Sequence, residues 1–406
     1  MKQRVFLLSV TTTIVCAVAL STALLTNSLG HSHAIVRTVT AQAATSPRSY
    51  GVVVGSTYYG STNQDVYALN AQTGALLWKH PTSTLAFLLT VALGNVYFVA
   101  GDAYALNATT GAVVWKSQAT INSVPVALFV NNGVLYVEAQ AEASFFSALN
   151  ASNGKLLWAY VIGSYSSSFA LVQGVLYIAT YPFPALCAVQ VSNGSQIWCH
   201  DYFGYGGVST PIVTGSIVTV GYYSDDGSGN YSYEIDAFNS SNGSLVWQSQ
   251  NVYQLGASQG MIYAAVAGSN VVEALNALNG ALIWKNSIGT GNVTQTGDIV
   301  RNGVLYTSNS NNEVDAISTA NGALLWHYNV GAQRLIIANG VVYANIGSAL
   351  YALHASNGSL IWKSSTSGIL CAVSVKLGMV YLVASVTNNP VVYALSIQTG
   401  HLLWTY

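Results

Sequence analysis

Charge is the scarcest property of this chain. Twelve Lys and Arg and thirteen Asp and Glu make up 6% of its 406 residues, against roughly a quarter in ordinary soluble proteins. Without the first 43 residues, which carry Lys2, Arg4 and Arg37, nine basic residues face thirteen acidic ones. A basic surface able to neutralise several phosphates cannot be assembled from that stock, which excludes nucleic-acid binding. Cysteine is nearly as rare. Of four, Cys16 lies in the N-terminal apolar stretch, and Cys187, Cys199 and Cys371 are too few for a scaffold built on disulfides. Beyond the N-terminus no apolar run reaches the length of a membrane span. Residues 84–100 come nearest, and Gly94-Asn95 breaks them with a turn signal. Long amphipathic helical periods are missing too, so a helical bundle does not fit.

The N-terminus is the apolar exception. Lys2 and Arg4 precede an apolar stretch from Val5 to Leu25, and Ala41-Gln42-Ala43 offers a small-x-small cleavage site. Residues 1–43 are expected to be an export signal. An uncleaved anchor through residues 5–25 is the alternative, because that stretch is about as long as a span requires. Either reading places residues 44–406, one domain, in a secreted or other extracytoplasmic compartment.

What is present in abundance is repetition. All nine tryptophans stand four residues after a glycine: Gly74 and Trp78, Gly111 and Trp115, Gly154 and Trp158, Gly194 and Trp198, Gly243 and Trp247, Gly280 and Trp284, Gly322 and Trp326, Gly358 and Trp362, Gly400 and Trp404. Six residues before each glycine is an alanine, from Ala68 to Ala394. A period near 40 residues signals a repeat architecture. Within one unit the pattern is that of strands. Residues 121–162 read as four short apolar runs, Val124–Val130, Val134–Val137, Phe145–Leu149 and Leu156–Val161, separated by turns. Asn-Gly pairs such as Asn193-Gly194 and Asn242-Gly243 suit tight hairpins in which both residues take positive φ. Four short strands per unit, repeated, predict an all-β propeller of four-stranded blades. The first unit is the uncertain one, since its innermost strand falls on the polar residues 47–50. Nine blades, or eight with a partial first unit outside the ring, both remain open.

Segments such as Tyr67-Ala-Leu-Asn-Ala-Gln-Thr-Gly-Ala-Leu-Leu-Trp78 resemble the repeat of the pyrroloquinoline-quinone-like (PQQ-like) propellers. That family includes quinoprotein dehydrogenases and the outer-membrane assembly lipoprotein propeller. The resemblance implies that each outer-strand tryptophan docks against the adjacent blade. An Asn stands where the family usually has Asp, at Asn70, Asn107, Asn150, Asn239 and Asn276; Asn also caps such turns.

The resemblance raises quinone chemistry, but the residues do not support it. A quinone site would need a carboxylate base and calcium-binding oxygens near the propeller axis. Asp236, Glu273 and Asp315 instead precede the motif alanine in three successive units, which places them on third strands, on an expected solvated face. Arg334 and Asp298 are the only charged residues near the expected inner strands. In the loop at 225–230 and just beyond it, Asp226, Ser228, Asn230, Ser232 and Glu234 alternate oxygen-bearing side chains but lack the glycine placement and terminal bidentate glutamate of an EF-hand loop, so a polar hairpin is expected. The five repeat histidines show no metal-ligand spacing. No catalytic, cofactor or metal residue is therefore assigned. The expectation is a monomeric, non-catalytic exported module that binds or scaffolds another protein or a cell-surface component through its rim loops. Tyr58, Tyr59, Tyr165, Tyr181, Tyr202, Tyr205, Tyr222, Tyr223 and Tyr231 are the candidate contacts. A PQQ-dependent dehydrogenase and a carbohydrate-binding module are the alternatives. Cys187 and Cys199, six residues either side of Asn193, are a candidate disulfide, and Cys371 is expected buried and unpaired.

Overall fold

A computed structural model describes residues 51–406, apart from 63, 85, 118–123, 141–143, 226–227, 229, 290, 333 and 387–388. The export or anchor segment at 1–43 lies outside the described residues. The chain forms nine antiparallel four-stranded sheets arranged as the blades of one ring. Blade 1 comprises β1 (Gly51–Val54), β2 (Thr57–Ser61), β3 (Asp65–Asn70) and β4 (Leu76–Pro81). Its innermost strand thus includes Gly51–Val54, and blade 1 is complete, whereas the expected position at 47–50 lies outside the described residues. Apolar Val52 and Val53 supply its buried side chains. Blade 3 keeps the expected order: β9 (Val124–Asn131), β10 (Val134–Gln140), β11 (Ser144–Asn150) and β12 (Leu156–Ile162).

First strands of neighbouring blades touch one another, so they line the inside of the ring. Fourth strands form the outside, where the residues before each tryptophan, such as Leu76 and Leu77, are half exposed. Between these limits second and third strands are buried on both faces because a blade lies against each. The apolar core is accordingly divided into nine clusters, most of them bridging a blade junction.

Each junction is made the same way. The Trp78 indole N–H donates to the Ala108 carbonyl of blade 2 at 2.9 Å, and Trp247 donates to Ala277 of blade 6 at 2.9 Å. The last blade closes on the first through Trp404, which donates to Ala71 at 3.0 Å. The indole lies flat over the motif glycine of the following blade. A Cβ added at Gly111 would sit 2.6 Å from Trp78 Cε3, and Gly111 holds φ +71°, so both space and backbone demand glycine there. Second-strand tyrosines reinforce the joint. Tyr97 packs on Trp115 at 5.9 Å and donates to the same Ala151 carbonyl that Trp115 uses. Much of the tyrosine content is therefore committed to blade packing.

Two local expectations differ. Asn-Gly pairs adopt positive φ at both residues only between first and second strands, as at Asn132-Gly133 (48° and 76°). Between third and fourth strands only the glycine does. There Asn153 Oδ1 accepts the Lys155 N–H at 3.0 Å, and a longer turn ends in a register shift at Ala148/Leu149. One turn before, Asn70 Oδ1 accepts the N–H groups of Gln72 and Thr73, both at 3.0 Å, so Asn caps where the family has Asp.

Asp236, Glu273 and Asp315 do not face solvent: they are 2%, 6% and 0% exposed. Both faces of a third strand are covered, so the alternation that reads as half-solvated does not apply. Each acid sits opposite the residue that follows the tryptophan, namely Gln248, Lys285 and His327. Glu273 meets Lys285 at 3.3 Å. The same cross-strand position holds Lys116 over Tyr104 in blade 2 and Lys363 over Tyr351 in blade 8. In blade 4 it holds Cys187 and Cys199, whose Cα atoms are 4.0 Å apart and which are joined by a disulfide. Cys371 is half-buried and disulfide-bonded, not buried and unpaired.

Candidate recognition site on blades 4 and 5

Blade 5 departs most from the repeat. Its tryptophan follows that of blade 4 by 49 residues, the longest gap in the chain, and the extra length goes into two places. The innermost strand is split into β17 (Tyr205–Val208) and β18 (Ile212–Thr214). Its second and third strands, β19 (Ile217–Asp225) and β20 (Tyr231–Asn239), are nine residues each. Register fixes the tip, with Asp225 opposite both Tyr205 and Tyr231. In repeat proteins such insertions collect on one face and often carry binding.

Alternation then sorts the side chains of this hairpin. On one face Tyr223, Tyr231 and Tyr233 form a triangle with ring centroids 6.4 Å apart, and Tyr233 reaches Tyr253 of blade 6 at 6.0 Å. On the other, Ser224 and Ser232 share a 2.6 Å hydrogen bond, and Tyr222 stacks on Tyr202 at 4.1 Å. Tyr202 belongs to the connection that leaves β16 (Gln196–Asp201) of blade 4. The Tyr222 hydroxyl donates to the Phe203 carbonyl at 3.2 Å, which pins the backbone of that connection. Two further bonds tie it to the second hairpin of blade 4, Tyr202 N–H to Pro184 at 2.9 Å and Gly206 N–H to Pro182 at 3.2 Å; within that hairpin the Thr180 hydroxyl donates to the Phe183 carbonyl at 2.6 Å.

Those bonds hold three aromatic rings out in solvent. Phe203 is 97% exposed, Tyr205 64% and Phe183 61%, and the last two lie 5.6 Å apart. Beside them is an open groove of about 340 Å³ lined by Phe203, Ser224, Asp225, Asn230, Tyr231 and Ser232. Under the shelf the electrostatics are anionic but muted. Burial raises the Asp236 carboxyl above its usual value, with His200 opposing, and burial together with Asp236 raises Glu234. Burial and Asp236 push the Tyr202 phenol far above its ordinary range, so it stays neutral.

Of the tyrosines singled out in the sequence, Tyr58, Tyr59 and Tyr222 are buried in blade packing. Tyr165 and Tyr205 are exposed, and Tyr181, Tyr202, Tyr223 and Tyr231 are half-buried. All except Tyr58 and Tyr59 belong to blades 4 and 5. The residues that sequence reasoning missed are Phe183 and Phe203. A clue was available: Phe203 follows a tryptophan by five residues in a connection that already breaks the repeat. The polar-hairpin reading of 225–230 falls partly on residues 226, 227 and 229, outside the described set; Asp225 and Asn230 flank the hairpin tip. Among the described residues no cluster of three or more His, Cys, Asp or Glu could hold a metal.

A family model described as outer membrane protein assembly factor BamB matches residues 62–164, 161–326 and 310–406. The chain belongs to that family. Solved structures agree on the fold. BamB from Moraxella catarrhalis superposes with a TM-score of 0.56 at 14% identity, covering 75% of this chain and 92% of that one. A europium-containing methanol dehydrogenase gives 0.56 at 11% identity, covering 69% and 77%. The quinohemoprotein alcohol dehydrogenase ADHIIG from Pseudomonas putida HK5 gives 0.54 at 14%, covering 72% and 68%. Among curated proteins, a tetrathionate hydrolase of Acidithiobacillus ferrooxidans is 29% identical over 150 residues. That match spans 36% of this chain and only 27% of the hydrolase.

The quinone of the dehydrogenase neighbours is a poor fit to the residues present. Calcium beside a quinone needs carboxylate and amide oxygens gathered in one place. Asp236, Glu273 and Asp315 lie in three different blades, on third strands, each turned to its own cross-strand neighbour. Arg334 begins the first strand of blade 8, and the side chain of Asp298 lies outside the described set.

Proposed function

We propose that this chain is a non-catalytic exported recognition module that holds another protein or a cell-surface component on the rim of blades 4 and 5. One observation carries the reading: Phe183, Phe203 and Tyr205 are exposed at 61%, 97% and 64% on loops whose backbones are pinned by hydrogen bonds. Exposed aromatic side chains gathered on a fixed backbone mark an interaction surface, since they present large area with little ordering left to lose. An assembly-factor role, as the family's description names, would use a surface of this kind. The N-terminal apolar stretch supports export, and the low charge suits a surface that recognises by shape and hydrogen bonding.

Binding of the purified domain to isolated envelopes of the source cells tests this. The wild type is expected to be retained. The triple variant Phe183→Ser, Phe203→Ser, Tyr205→Ser is expected to lose at least tenfold in affinity with an unchanged melting curve, because these side chains contribute almost nothing to the core. Equal retention of the two proteins would refute the assignment of the site.

A further inference from the structure

The groove at the tip of the blade 5 hairpin has a composition that selects its ligand. Its two aromatic walls, Phe203 and Tyr231, come from different elements, the blade 4–5 connection and the start of β20. Among the described residues its remaining lining is Ser224, Asp225, Asn230 and Ser232: one carboxylate, one amide and two hydroxyls, with no cation. A groove without Lys, Arg or His and with a carboxylate in its wall disfavours phosphate, sulfate or carboxylate ligands. A carboxylate accepts from hydroxyl donors, an amide both donates and accepts, and a serine hydroxyl turns to suit either. That set matches neighbouring hydroxyls on a neutral ring, while an aromatic face matches the C–H face of the same ring.

Size and openness agree. About 340 Å³ lies at the lower end of small-ligand sites, roughly 300–1,000 Å³, room for a short glycan segment. The groove is open to solvent, and the Phe183–Tyr205 pair provides a second aromatic platform on the same rim. A peptide would more naturally add to a free strand edge. At this tip β19 is paired on both sides, to β17 and to β20, and only β17 presents a sheet edge, so peptide addition there is the competing outcome of the test.

We infer that this groove binds a neutral saccharide, stacked on Phe203 and hydrogen-bonded by the paired serines, with Asp225, Asn230 and Tyr231 at the hairpin tip beside it. The inference rests on the recognition reading above and names the class of the cell-surface component.

Affinity electrophoresis and calorimetry of the full domain against neutral glucans, xylans, mannans and chitin oligosaccharides provide the test. At least one is expected to bind the wild type. Phe203→Ala is expected to weaken that binding at least tenfold and Asp225→Asn several-fold, with melting curves unchanged. Rescue of affinity by Phe203→Trp, which restores an aromatic face, would separate stacking from a general loop effect. Failure of every glycan to bind, or equal binding by wild type and Phe203→Ala, would overturn the saccharide assignment. If the domain still bound envelopes through Phe183, Phe203 and Tyr205 in that case, the recognition reading would stand with a protein as the occupant.

Discussion

Trp78→Ala and Trp247→Ala are expected to destabilise the domain equally, by about 3–5 kcal/mol each, the usual range for deleting a large buried aromatic side chain. The two sites are alike in every respect that matters to the cost. Trp78 is 9% exposed and Trp247 8%. Each indole donates a 2.9 Å hydrogen bond to the next blade, and each lies over the next blade's motif glycine, Gly111 or Gly280. Removing either ring leaves a carbonyl short of a donor and a cavity between two blades. Denaturant unfolding of the two variants checks this. A much smaller loss at Trp78 would mean that blade 1 stands outside the closed ring.

The second large effect is on pH dependence. Asp315 is fully buried, and burial, with the Glu313 carboxylate beside it, pushes its carboxyl from 3.8 up to about 6. Asn309 Nδ2 donates to its Oδ2 at 2.8 Å and to Glu313 at 2.7 Å, and His327 across the strand opposes the rise; Oδ1 has no hydrogen-bond partner. In the unfolded chain the same group titrates near 3.8. Above pH 6 the native state therefore carries an ionised, under-solvated carboxylate. Between pH 6 and 4 the folded form binds a proton that the unfolded form does not, so stability rises as pH falls. The gain is about 3 kcal/mol in total. Asp236 and Glu234, also raised by burial, act in the same direction. Unfolding free energy measured from pH 7 to pH 4 should increase, and Asp315→Asn should flatten most of the increase. A wild-type profile that falls steadily with acid would contradict the burial account.

These carboxylates also show where the sequence stops being legible. The propeller, the nine motif copies and the strands of blade 3 were readable because glycine, tryptophan and apolar alternation recur in fixed register. Depth was not readable. An acid in an alternating strand looks like a solvent-facing residue in an open sheet, yet in a propeller both faces of a third strand meet neighbouring blades. Closure was hidden for a related reason: whether Gly51–Val54 forms a first strand is decided by its contacts with blades 2 and 9, over 300 residues apart in the second case. The recognition surface was half legible. Tyr205 and Tyr231 were candidates because tyrosine suits interfaces. Phe183 and Phe203 were not, because phenylalanine ordinarily belongs to the core, and only the pinned turn of blade 4's second hairpin and the blade 4–5 connection force them out.

The most direct test of the functional account is photocrosslinking on the source cells with a photoreactive residue placed at 203 or, as a control, at 282. Both positions are exposed, at 97% for Phe203 and 56% for Leu282, but Leu282 lies on the outer strand of blade 6. The account expects a discrete adduct from 203, lost when Phe183 and Tyr205 are also changed to Ser, and none from 282. An adduct from 282 with none from 203 would contradict it.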